Sequence, residues 1–375
     1  MKPNPLLALR RYGQSVWFDY IRRDLITEGK FAAMIRDDGL AGITSNPAIF
    51  EDAIARHGVY DDLIADLRAA GSSPELAYET LTTGDLRLAA DVMLPLWQQS
   101  QGRDGLVSLE VSPHLTEDSA ATVREARRLH EAVARPNLMI KVPGTRAGLP
   151  AIEELISAGI PVNVTLLFSI DRYREVVEAF LAGLERRHRA GLPLTGIQSV
   201  ASFFISRIDT LVDARLDARE PAQPEVRSLR GTAAIASAAL AYRHYLDWVD
   251  GARWRALAAA GAQPQRLLWA STSTKDPAYA DIRYVEALVA PDTINTLPPA
   301  TLDAYRDHGE PEARLAGAIA TAPGTLERLA AAGIDFHQVA EQLEREGVDK
   351  FIAAHDSLLE TLAERLAAPS SAKRQ

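Results

Sequence analysis

Residues 138–143 read LMIKVP, preceded at 106–112 by LVSLEVS and followed at 161–169 by PVNVTLLFS. Each is a short run rich in β-branched and apolar residues, of strand length and bounded by turn-forming residues. Between the first two lies DSAATVREARRLHEAVA (118–134), and from the end of the third runs SIDRYREVVEAFLAGLERRH (169–188). Both place apolar residues at three- and four-residue spacing, the period of an amphipathic helix. The strand-like pattern recurs outward at 15–20 (SVWFDY), 42–46 (GITSN), 198–204 (QSVASFF), 266–271 (RLLWAS) and 293–297 (TINTL). Eight strand candidates alternating with helices predict an α/β fold of the (β/α)8 TIM-barrel type, because parallel neighbours must be joined by crossover helices.

Two connections are too long for a minimal barrel. Residues 47–105 before the third strand and 208–265 before the seventh are expected to hold extra helices, the second as an Ala-rich helical hairpin around LRGTAAIASAALAYRHYLDWV. Residues 300–367 read as helical throughout, ending in an amphipathic helix, GVDKFIAAHDSLLETLAERLAA. The expected organisation is one barrel domain over 1–367 and a polar, disordered tail over 368–375.

The 375 residues are 47% hydrophobic and 24% charged, the balance of a chain that can bury a large core. A formal charge of −9, with no basic cluster interleaved with aromatics, argues against a nucleic-acid or anionic-membrane surface. The absence of cysteine removes disulfides, thiolate metal sites and a Cys nucleophile, and fits a reducing, cytoplasmic setting. No stretch approaches the roughly 20 apolar residues of a membrane span, and the first 25 residues lack the apolar run of a secretion leader. The eight histidines show no HExxH or facial-triad spacing. No metal is therefore expected, and His57, His114 and His337 read as surface or capping residues.

Polar residues concentrate where strands would face the barrel axis. Lys141 stands in an apolar run and shares a strand face with Met139 and Pro143. Burial there disfavours an ammonium and favours a neutral amine, the form that attacks a carbonyl. Ser108, Glu110 and Ser112 share one face of the preceding strand, opposite Val107, Leu109 and Val111. On the following strand Asn163 and Thr165 oppose Val162, Val164 and Leu166, whose apolar face is expected to meet the outer helices. The polar sets of all three strands converge on Lys141 if barrel neighbours follow chain order. A lysine snorkelling to solvent, or a purely structural polar network, are the competing readings.

Asp19 and the Thr44–Asn46 segment close the first two strands at the end where barrel enzymes hold their catalytic groups. Alternatively, Asp19 caps the next helix and Asn46 only starts the turn before Pro47. Ser202, Phe204 and Arg207 end the sixth strand, and Ser271 and Lys275 follow the seventh. Hydroxyls, a helix start and two cations suit a phosphate, unless Arg207 is an ordinary helix-face residue.

Taken together, GITSNPAIFE, SLEVSPHLTED, LMIKVPGT, IPVNVTLLFS, SVASFFISRID and LLWASTSTKDPAY resemble the transaldolases, in particular their longer bacterial branch, from Val16 to about Leu362. The resemblance implies a cofactor-free class I aldolase chemistry. A dihydroxyacetone unit passes from sedoheptulose 7-phosphate to glyceraldehyde 3-phosphate, giving erythrose 4-phosphate and fructose 6-phosphate in the pentose phosphate pathway. It makes Lys141 the Schiff-base residue, Glu110 and Thr165 the holders of a catalytic water, and Asp19 the acid/base at the C4 hydroxyl. Asn46, Asn163 and Thr44 fall to the ketose, with Ser202 and Phe204 beside it, and Arg207 and Ser271 to the phosphate. Shorter members carry a second arginine where this chain has Ser273, so Lys275 is expected to supply the missing charge. Rival readings are a fructose 6-phosphate aldolase, a lyase using the same lysine, and a non-catalytic sugar-phosphate-binding barrel. The expected partners are sugar phosphates only, and the chain is a monomer or homodimer.

Overall fold

A computed structural model describes residues 4–220 and 223–368. Of the tail expected over 368–375, all but Ala368 lies outside the described residues. Eight parallel strands close in chain order into one barrel: β1 (Ser15–Phe18), β2 (Leu40–Ile43), β3 (Leu106–Glu110), β4 (Leu138–Pro143), β5 (Val162–Leu167), β6 (Ser199–Phe204), β7 (Arg266–Ala270) and β8 (Ile294–Leu297). Every residue of every strand is buried, as it must be when helices cover one face of a parallel sheet and the barrel axis the other. The helices expected after β3 and β5 form at Ser119–Val133 and Ile170–Arg189. They are capped by the side chains of Asp118 and Ser169, which accept from the backbone N–H groups of Ala121 and Arg172.

Register brings the polar set together. Glu110 of β3 pairs with Lys141 of β4, and Lys141 with Asn163 of β5. Paired residues of adjacent parallel strands point to the same side of the sheet, so all three aim at the axis.

Several boundaries differ from expectation, each for a local reason. β2 lies at 40–43 rather than 42–46, because the chain leaves the sheet to reach Asn46, whose side chain accepts from Ile49 N and caps the helix Pro47–Ala55. Within β2, position 42 admits only glycine, because a Cβ there would lie 2.4 Å from the Trp17 ring. β1 stops at Phe18 and β3 at Glu110, which puts Asp19 and Ser112 just past the strand ends.

The alternation expected for β5 fails at Leu166. That residue takes a φ of 62°, a conformation costly for a branched side chain, at a register shift between Val164 and Leu167. Its side chain meets Gly347 of the C-terminal helix rather than an outer barrel helix.

The first long connection holds helices Pro47–Ala55, Asp61–Ala69 and Pro74–Gln99. In the second, the Ala-rich stretch is not a hairpin but one helix, Ala233–Val249, followed by the short Ala252–Ala259. Its buried alanines permit close packing on the helices Ser206–Asp217 and Ala322–Ala331. Residues 300–367 are not helical throughout: breaks at 309–314 and 332–335 contain Gly309, Pro311 and the left-handed Gly333. The last helix, Phe336–Ala367, packs against the helices Pro47–Ala55 and Pro74–Gln99 and the end of β5, so it lies over the C-terminal mouth of the barrel. No helix among the described residues is long and apolar enough to cross a membrane.

Candidate active site

Lys141 leaves the middle of β4 towards the axis, its side chain 6% exposed. Nζ donates to the Ser45 carbonyl at 3.1 Å and to Glu110 Oε2 at 3.4 Å, and the Phe351 ring centroid lies 5.4 Å away. The amine is thus enclosed, not snorkelling. Across the pair, burial pushes the Glu110 carboxyl up to about 7 although the lysine charge pulls it down. A carboxyl poised there can both take and give a proton near neutrality. Glu110 Oε1 and Thr165 Oγ1 are buried without a protein partner, two polar atoms able to hold a water or a substrate hydroxyl.

Asp19 sits one residue past β1. Its Oδ1 accepts from Thr44 Oγ1 at 2.7 Å, and Thr44 Oγ1 lies 2.6 Å from Thr296 Oγ1. Burial raises the Asp19 carboxyl above its usual range, opposed by Lys141, the Thr44 hydrogen bond, Lys275 and Arg207. It does not cap the following helix Arg23–Thr27, whose N-cap is Arg22. Asn46 does cap its helix, through Oδ1, yet it also lines the cavity, so its amide hydrogens are available there.

Below the lysine a belt of hydrogen bonds crosses the barrel. Asn163 Nδ2 donates to Ser108 Oγ at 3.1 Å, and Ser202 Oγ donates to Asn163 Oδ1 at 2.7 Å. Asn163 is fully buried and stands behind the cavity wall, as does Glu110. The other ten expected site residues line a single cavity.

The far side of that cavity is cationic. Arg207, at the start of the helix Ser206–Asp217, lies with its guanidinium carbon 5.3 Å from the Phe204 ring centroid, and its Nη1 is buried without a partner. Ser271 adopts a left-handed φ of 55° and lies with its Oγ 3.0 Å from that of Ser206. Lys275 Nζ donates to Ser273 Oγ at 2.6 Å. Burial disfavours the charged forms of Arg207 and Lys275, and the nearby Arg207 charge disfavours Lys275 further. A bound dianion relieves both penalties, which is the electrostatic condition for a phosphate site.

Three contributors escaped the sequence reading. The Ser45 group that holds Lys141 is a backbone carbonyl, which has no residue signature. Thr296 carries no motif of its own. Phe351 falls on the apolar face of an amphipathic helix, where nothing local separates a roof over a lysine from core packing.

A buried lysine between two carboxyls with raised affinity for protons, facing a cationic wall at the C-terminal end of a barrel, defines a class of enzyme. It is a barrel equipped to bind a phosphorylated carbonyl compound and to react with it through an amine. Comparison gives the family: the model described as "Transaldolase/Fructose-6-phosphate aldolase" matches residues 16–362, and the chain belongs to that family. The chain is 50% identical over 362 residues to "Transaldolase 1" of Streptomyces coelicolor, covering 96% of this chain and 94% of the relative. It is 49% identical to "Transaldolase" of Thermobifida fusca, covering 97% and 99%, and 45% identical to "Transaldolase 2" of Nostoc sp., covering 96% and 97%.

Proposed function

We propose that the chain is a transaldolase that carries a dihydroxyacetone unit from sedoheptulose 7-phosphate to glyceraldehyde 3-phosphate, yielding erythrose 4-phosphate and fructose 6-phosphate. The observation that carries the reading is the enclosed Lys141 amine, held between Glu110 and the Ser45 carbonyl in the same cavity as Asp19 and Arg207. Full-length likeness to relatives named as transaldolases supports it.

The roles follow from position. The Lys141 amine adds to the C2 carbonyl of the donor, and Glu110, working through a water shared with Thr165, gives the proton with which the carbinolamine hydroxyl leaves as water. The iminium that forms accepts electrons. Asp19 takes the C4 hydroxyl proton, the C3–C4 bond breaks into the iminium, and erythrose 4-phosphate departs. The enamine left on Lys141 attacks the aldehyde carbon of glyceraldehyde 3-phosphate, whose new hydroxyl takes its proton back from Asp19. Hydrolysis of the iminium then frees fructose 6-phosphate. Asn46, Thr44 and Ser202 bind the ketose hydroxyls, with Asn163 orienting Ser202 from behind. Arg207, Ser271 and Lys275 take the phosphate, the lysine standing in for a second guanidinium. The reading includes no cofactor, a cytoplasmic location and a monomer or homodimer.

Borohydride reduction in the presence of fructose 6-phosphate tests it. A three-carbon or hexose-derived adduct should map to the LMIKVPGT peptide and vanish in Lys141→Ala, and an unmodified wild-type chain overturns the proposal. Rapid release of free dihydroxyacetone without an acceptor aldehyde would instead favour the lyase.

A further inference from the structure

Outside the active site, the 3-10 turn Pro113–Leu115 after β3 meets the C-terminal helix at a cluster of three possible metal ligands. His114 Nε2, His355 Nδ1 and Asp356 Oδ1 all lie within 4.8 Å of one another. Nε2 is 2.7 Å and Nδ1 3.5 Å from the Asp356 oxygen, and the two imidazoles meet edge to face at 5.7 Å. Ligand atoms about 2.0–2.1 Å from a tetrahedral zinc-type ion are about 3.3 Å apart, so movements of about 1.5 Å or less close the site.

A second observation points the same way. His355 is only 8% exposed, yet its Nδ1 makes no geometrically formed hydrogen bond, its nearest acceptor being the Asp356 oxygen at 3.5 Å. A buried, unpartnered ring nitrogen facing a carboxylate and a second imidazole is costly unless something occupies the space between them.

We propose that His114, His355 and Asp356 bind a divalent transition-metal ion of the zinc type. His114 and Asp356 are about half exposed, which leaves an entry path and a fourth position for water. The ion is structural in effect. His355 lies four residues after Phe351, one turn along the same face of the helix, so the ion pins the helix close to where Phe351 roofs Lys141. Sequence spacing could not reveal the set, because 242 residues separate His114 from Asp356.

The test uses untagged full-length enzyme stripped with EDTA and titrated calorimetrically with ZnCl2. The expected result is one equivalent bound and a raised Tm, with His114→Ala and Asp356→Asn each weakening binding at least about tenfold. His337→Ala, an exposed histidine of the same helix, and the hard cation Mg2+ serve as controls expected to show no effect. Co2+ added to the wild type alone should give the intense visible absorption of tetrahedral coordination, which does not depend on any variant folding. Absence of saturable Zn2+ binding, titration unchanged in His114→Ala, or Co2+ spectra of the free hydrated ion overturns the site.

Discussion

Two ion pairs, each with a buried cation, stand at opposite ends of the barrel and are completed differently. At the N-terminal rim, Arg266 of β7 donates to Ser15 Oγ at 2.9 Å, to the Arg103 carbonyl and to Asp104 Oδ1 at 3.1 Å, and Ser15 Oγ donates to Asp104 at 2.8 Å. At the C-terminal mouth, Lys141 and Glu110 stand 3.4 Å apart while Glu110 Oε1, Thr165 Oγ1 and Arg207 Nη1 have no protein partner. Each buried unsatisfied group costs about 1–3 kcal/mol. Charges closed by protein partners hold a barrel together. The spare donors and acceptors of the mouth pair line or back the cavity at the C-terminal end of the barrel, where a ligand could complete them.

Substitutions can break that comparison. The largest effect is expected for Lys141→Ala, which should lower kcat by more than about 10^4-fold because the only other amine of the cavity, Lys275, stands at its phosphate wall and not beside Glu110. Its stability should hardly change, since the raised carboxyl of Glu110 can protonate once the lysine is gone. A Tm collapse would place the mouth pair with the structural pair.

Glu110→Gln is expected to lower kcat about 100-fold. It should also change the pH dependence of stability. The folded state raises this carboxyl from 4.5 to about 7, so its protonated form stabilises the fold below pH 4.5, and that contribution is lost as pH rises through 7. Denaturant unfolding at about pH 5 and about pH 8 should show a decline in the wild type that is smaller in the glutamine variant.

Arg266→Met should behave in the opposite way. Removing one partner of a buried pair is expected to cost about 3 kcal/mol of unfolding free energy, with kcat/KM of the folded fraction unaltered. Lys275→Met is the mildest change. It should raise KM for phosphorylated ketoses about tenfold while leaving turnover of an unphosphorylated ketose alone, and equal effects on both would remove Lys275 from the phosphate site.

The gathering of most candidate site residues around one cavity is legible in the sequence. Lys141, Glu110 and Asn163 were marked by polar residues at every second position of apolar strands, and that alternation is a local property of an extended chain. Asp19, Asn46, Arg207 and Ser271 were marked by standing at strand ends. Asn46 shows where alternatives merge, since one side chain both caps a helix with its oxygen and reaches the cavity. Departures from the local pattern cluster where tertiary packing overrides it. β2 shifted to let Asn46 cap, and Leu166 left the alternation to meet Gly347.

The alternation of strands and helices along the chain, the helix periods and the residue types at the strand ends were settled by the sequence itself, because each depends on neighbours a few positions apart and on one rule of side-chain direction. Closure of the barrel, the roof that Phe351 places over Lys141 and the meeting of His114 with His355 were decided only in three dimensions. Each joins residues far apart along the chain, and no local period records which distant surfaces will touch.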